Sequence, residues 1–99
     1  MTNLCVVELT YVQGPEAADR HMEAHREFLR GGYEDGLFVA SGRKVPRTGG
    51  VILARGSREV ILERLALDPF SVHGVAEYAV TEFVPTMTSD ELRGLRAEG

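Results

Sequence analysis

Leu4-Cys5-Val6-Val7-Glu8-Leu9-Thr10-Tyr11 is the stretch from which the fold is read. It is rich in β-branched and apolar residues and is closed by Gln13-Gly14-Pro15, so it reads as a strand ending in a turn. Pro15 suits the first turn of a helix, and Glu16 and Asp19 place negative charge near that helix's positive end. The helix is expected to run to about Arg30, where Gly31-Gly32 supplies residues that adopt a left-handed stop. Leu37 to Ala40 reads as a second strand and Val51 to Ala54 as a third. The segment between them, residues 41–50, is irregular and is expected to be mainly a functional loop, with parts extending the hairpin. Ser57 is the expected N-cap of a second helix through Leu67, which stops near Asp68 because Pro69 disfavours helical geometry in the residue before it. Val75 to Val84 is the fourth strand, ended by Pro85. The order β-α-β-β-α-β is the split arrangement of ferredoxin-like α+β domains, a four-stranded antiparallel sheet with helices on one face.

A chain of 99 residues has room for one domain, residues 1–99 with a tail at 86–99, burying roughly two-thirds of the surface of its unfolded form. With 43% hydrophobic and 26% charged residues, it is globular in composition and offers nothing to a disordered or disulfide-scaffold reading. The formal charge of -4 has the wrong sign for a phosphate backbone, so nucleic acid is not an expected partner. One cysteine, Cys5, cannot close an intramolecular disulfide, and no signal-peptide pattern opens the chain; a cytoplasmic setting is expected. Its apolar runs are far shorter than the roughly 20 residues that cross a bilayer, so no membrane partner is expected either.

Helices on one sheet face leave the other uncovered. Cys5, Val7, Leu9 and Tyr11 line one face of the first strand, yet Leu4 and Val6 on the opposite face are apolar too, and Val51 to Ala54 is apolar at four successive positions. Burying that second face against another copy is the simplest remedy, and a homodimer or larger assembly is expected. The tail, through Leu92 and Leu95, is expected either to form a short helix packing on the partner or to fray.

Chemistry points to two residues. Ala18, Met22, His25, Phe28 and Leu29 fall at helical spacings, which puts His25 within an apolar stripe where it needs a partner. That partner is a backbone carbonyl in the structural case and a carboxylate in the functional one, which would fix the ring and favour its charged form. Asp68 is expected at the negative end of the second helix, where an acid calls for a cation or donors; the alternative is an Asp-Pro turn residue bonding nearby amides. Both helices lie on one sheet face, so the two residues are within reach of each other. Ser41 and the Gly42 amide are candidates for holding an oxyanion, and Arg43, Lys44 and Arg47 for attracting an acidic or phenolate ligand, although solvated surface is the expected role of at least two of these three. His21 and His25 have the spacing of helical metal ligands, but Glu does not follow the first histidine and only His73 offers a third ligand, so no metal site is expected. No cofactor signature is present, and Cys5 reads as a small core hydrophobe.

Ala24-His25-Arg26-Glu27-Phe28-Leu29, Ser41-Gly42, Gly49-Gly50-Val51, Asp68-Pro69-Phe70 and Thr81-Glu82-Phe83 occur in the order and spacing of YciI-like, or YCII-related, proteins, and on these the chain resembles that family over nearly its whole length. The resemblance implies a ferredoxin-like fold, a dimer with stacked sheets, and a cleft holding a histidine and an aspartate, here His25 and Asp68. A dehydrochlorinase-type elimination on a hydroxylated aromatic ring is associated with the family. Where its members often have Ser-Gly-Pro, this chain has Ser41-Gly42-Arg43, which sets a charge at the cleft. The leading expectation is a small-molecule enzyme without organic cofactor, using His25 and Asp68 as an acid–base pair in elimination, isomerisation or hydrolysis. A metabolite-binding or assembly dimer and a cofactor-independent oxygenase are the alternatives, since fold does not specify chemistry.

Overall fold

The β-branched run at the start of the chain forms β1 (Leu4–Tyr11), and it becomes a central strand of the sheet. The computed structural model describes residues 2–97. After β1 come α1 (Gly14–Arg20), α2 (Met22–Glu34), β2 (Phe38–Arg43), β3 (Gly49–Arg55), α3 (Arg58–Leu65), α4 (Pro69–Val72) and β4 (Ala76–Phe83). β1 pairs antiparallel with β3 on one side and β4 on the other, and β2 pairs antiparallel with β3, giving the order β2-β3-β1-β4. This is the ferredoxin-like α+β arrangement, with an extra break in the first helical region and a short added helix before the last strand.

Period-2 alternation sorts β1 into two faces. Cys5, Val7 and Leu9 are buried in one core with Ala17 and Ala18 of α1, Ile61 and Leu65 of α3, and Phe70 of α4. Every second residue, Val6, Glu8 and Thr10, is exposed. The Cys5 thiol is buried and reaches the Gly56 carbonyl at 3.4 Å, and desolvation raises its pKa, as does the charge of nearby Glu82.

The first helical region departs from expectation twice. It is two helices, broken at His21, where φ -110° and ψ 9° leave the helical range. Nor does it stop at Gly31-Gly32: α2 continues to Glu34, and the residue with positive φ is Gly36 at +81°. Gly32 is there for space, because a Cβ at that position would run into the ring of Phe38. The second helix starts as expected, with the Ser57 hydroxyl accepting from the Val60 amide at 3.3 Å. Glu82 reinforces this start by accepting from the Arg58 amide and from Asn3 Nδ2, both at 2.6 Å, and these bonds hold its carboxyl below the usual range. In the tail, Asp90–Leu95 forms a 3₁₀ turn, and Gly94 and Leu95 lie with Leu4 and Arg55 of the same chain around a small hollow. No helix among the described residues is long and apolar enough to cross a membrane.

Candidate functional site

Asp68 departs from the helix-end expectation and meets its alternative, an Asp-Pro turn residue bonding a nearby amide. It lies at the start of α4 rather than at the spent end of α3, which terminates at Leu65; its carboxylate caps α4 by accepting from the Phe70 amide at 3.1 Å. Pro69 occupies the first helical position, so the chain turns from one helix into the next at Asp68. The same oxygen, Oδ1, lies 2.8 Å from His25 Nδ1, and Oδ2 accepts from the Tyr78 hydroxyl at 2.6 Å. Asp68 is fully buried and His25 is 8% exposed. With the Phe70 amide and the Tyr78 hydroxyl donating to the Asp68 carboxylate, the Nδ1–H tautomer of His25 is the one that makes its ring a third donor. Nε2 has no protein partner among the described residues. The imidazole lies flat on Phe70, with ring centroids 4.0 Å apart and planes 3° apart, so packing and hydrogen bonding set its orientation together.

His25 lines a cleft of about 560 Å³ between the helices and the β2–β3 edge of the sheet; Ser41, Gly42, Arg43 and Arg47 line it as well, and Asp68 stands behind His25 without reaching it. Four residues expected in or beside a loop thus border one space with His25. Ser41, Gly42 and Arg43 belong to β2, which extends beyond the expected Ala40, and the connection to β3 is only residues 44–48. Their direction depends on a bulge. Phe38 pairs with Ala54, but Ala40 pairs with Leu53, so the register slips within β2. Residues directly opposite each other share a face, and the slip places Ser41 opposite Ile52 and Arg43 opposite Gly50, on the helix side. Simple alternation from buried Phe38 would have turned both away. The Ser41 hydroxyl is 2.6 Å from the Tyr33 hydroxyl of α2.

The basic residues separate. Lys44 turns to the far face, pairing with Glu8 at 2.8 Å and Thr10 at 3.2 Å. Arg47 bonds to Asp19 at 2.6 Å and lies over the Tyr11 ring at 5.7 Å, closing the hairpin connection onto α1. Arg43 has neither an ion pair nor a hydrogen bond to a side chain among the described residues.

Residues 4–84 match the family model described as the YCII-related domain. The chain belongs to the YCII-related family. A solved structure, 5-chloro-2-hydroxyhydroquinone dehydrochlorinase (TftG) from Burkholderia phenoliruptrix AC1100 in complex with 2,5-dihydroxybenzoquinone, is similar to this YCII-related chain at a TM-score of 0.70 and 15% identity, over 81% of this chain and 92% of that one. At that identity the likeness speaks to fold alone. No curated protein matches the chain.

In this YCII-related chain His25 lines a concave space with its ring oriented by a buried carboxylate, an arrangement chemically able to take up a proton and give it back. Tyr78 is the third side chain of this arrangement. Its place on the helix side of β4, opposite Leu9, brings the phenol to Asp68, and burial, then the bond to Asp68, pushes its pKa far up, so it remains a neutral donor. The signal was the alternation Ala76, Tyr78, Val80, which puts one polar tip among core residues. His21 does not join His25; it stacks on His73, with centroids 4.2 Å apart and planes 13° apart. Among the described residues no group of three or more His, Cys, Asp or Glu is arranged to hold a metal ion.

Proposed function

We propose that the protein is a small-molecule enzyme in which His25 transfers a proton on a hydroxylated aromatic substrate, in an elimination or isomerisation. The observation that carries this reading is the His25 ring itself: Nδ1 is tied to buried Asp68, the ring lines the cleft, and Nε2 has no protein partner among the described residues. Nε2 takes a proton from a ring hydroxyl, and Asp68 stabilises the imidazolium so formed. The oxygen's electron pair moves into the ring, and return of the proton to a ring carbon gives the keto tautomer. If that carbon bears a halide, the halide leaves with its bonding pair as a second hydroxyl proton is lost, so that one acid molecule is eliminated in all. Ser41 and the Gly42 amide border the space where the developing oxyanion would lie. Membership of the YCII-related family and a neighbour named as a dehydrochlorinase support the substrate class. The working form is proposed to be a homodimer with stacked sheets.

The test is anaerobic incubation with 1,2,4-trihydroxybenzene in D₂O and with 5-chloro-2-hydroxyhydroquinone, following ring C–H exchange by NMR and chloride release. The native protein should accelerate at least one of these, and folded His25→Ala should lose roughly 100-fold or more of that rate. Asp68→Asn should shift the His25 ¹⁵N signals away from the Nδ1–H tautomer. Exchange and chloride release no faster than buffer would sink the enzyme reading. A second reading, a binding module, is favoured by the three fold-derived donors on Asp68, which knit α2, α4 and β4 together whether or not chemistry follows; ligand-induced shifts at the cleft without turnover would support it.

A further inference from the structure

We propose that the cleft takes a ring bearing a carboxylate as well as its acidic hydroxyl, with the carboxylate seated on Arg43. This rests on the reading of His25 as the proton-transfer group and adds the class of substrate. The argument begins with the fate of each cation near the cleft. Lys44 is engaged by Glu8 on the far face, Arg47 by Asp19, and Arg26 by Glu23 at 3.6 Å. Arg43 alone among these four has no carboxylate partner among the described residues. The chain carries a formal charge of -4, yet this cleft is lined by Arg26, Arg43 and Arg47 against one acid, Asp19, already engaged by Arg47.

The backbone position of Arg43 is set by strand pairing. The bulge in β2 turns it to the helix side, opposite Gly50, where a Cβ would crowd the Gly42 carbonyl oxygen and both strands therefore lie bare beside the cleft. The cross-strand row runs Arg43, Gly50, Leu9, Tyr78, and Tyr78 bonds to the aspartate that holds His25. Three strand spacings, about 14 Å between backbones, separate the two ends of that row. A free cation thus stands at one end and the supported imidazole toward the other, with apolar Leu9 and Ile52 in the floor between them. A planar ring with an anion at one edge and an acidic hydroxyl at another fits that sequence of groups. Guanidinium presents two parallel N–H donors, which match the two oxygens of a carboxylate. One unspent cation balances one negative charge, whereas a phosphate dianion would remain half unmatched. The cleft volume lies within the range usual for small-molecule sites.

The test compares two probes of the same shape, 4-hydroxybenzoate and its uncharged isostere 4-hydroxybenzamide, titrated near pH 7.5 against the full chain by calorimetry and amide NMR. The benzoate should bind about tenfold or more tightly than the benzamide, in keeping with a charge-assisted pair. Arg43→Gln, with its fold certified by unchanged amide resonances away from the cleft, should erase that preference, and Arg43→Lys should restore only part of it. Equal affinities in the native protein, a preference that survives in Arg43→Gln, or displacement of the benzoate by an equal concentration of inorganic phosphate would overturn the proposal and leave the His25 reading standing. If neither ring shifts the cleft resonances, the carboxylate proposal falls, and the exchange and chloride-release assays decide the His25 reading on their own.

Discussion

Tyr78, Asp68 and His25 form a chain of three side chains from three different elements, and removing its outer member is the gentlest way to probe it. Tyr78→Phe leaves the ring in place and deprives Asp68 Oδ2 of its donor, which should cost roughly 1–3 kcal/mol of folding stability because that oxygen is buried. The pH dependence follows from the sign of the shift. Folding raises the Tyr78 pKa above its ordinary value of 10.0, so the stabilisation is fully present below about pH 10 and is lost as pH climbs further, when the unfolded chain alone can ionise. Cys5, raised from 9.0, acts in the same direction. Thermal melts between about pH 8 and 11 should therefore fall more steeply for the native protein than for Tyr78→Phe, with the residual slope belonging to Cys5. Parallel slopes would mean that the phenol titrates freely. His25 was legible because a histidine in an apolar stripe demands an explanation. Asp68 was legible too, by the second of its two readings: its acid does not oppose a helix end but, as an Asp-Pro turn residue, bonds the Phe70 amide and so caps the new helix that Pro69 starts.

At the scale of elements, the succession of strands and helical regions along the chain could be read because β-branched runs and turn residues alternate, but the facing of the β2 side chains could not. One extra residue between Phe38 and Ala40 reverses which side chains face the helices, and nothing in Phe38-Val39-Ala40-Ser41 marks it, since the bulge is decided by pairing with β3. The helix stop failed for a related reason. Gly31-Gly32 is a strong local signal, yet the pair has two different tasks within α2, and this yields a contrast. A Cβ at Gly31 meets nothing within 4 Å, so Gly31→Ala should gain about 0.5–1 kcal/mol from helix propensity. A Cβ at Gly32 meets Phe38, a ring only 4% exposed with nowhere to move, so Gly32→Ala should lose about 1–3 kcal/mol despite the same propensity gain. Urea unfolding of the two variants decides it; equal stabilisation by both would show that Phe38 yields.

For the whole molecule, the question is what becomes of the sheet face away from the helices. Val6, Val51 and Phe83 are 39%, 38% and 40% exposed there, and Val6 is paired directly with half-buried Leu53, giving an apolar centre. Glu8, Thr10 and Glu77 make one end polar, and Leu4 and Arg55 at the other end meet the tail at Gly94 and Leu95. An apolar centre with a polar margin has the composition of an interface between copies. In a monomer, Val6→Glu would be a change at an exposed strand position, worth within about 0.5 kcal/mol. In a stacked dimer it would bury a charge without a partner, which association cannot tolerate. Sedimentation equilibrium of the native protein should therefore give twice 10.9 kDa, and Val6→Glu should give 10.9 kDa with an unchanged far-ultraviolet spectrum. The pairing puts Val6 on the face opposite the cleft and outside its lining, so the monomeric variant should still bind the cleft's ligand. A native protein that sediments at 10.9 kDa across tens of micromolar would remove the dimer and leave the face exposed in solution.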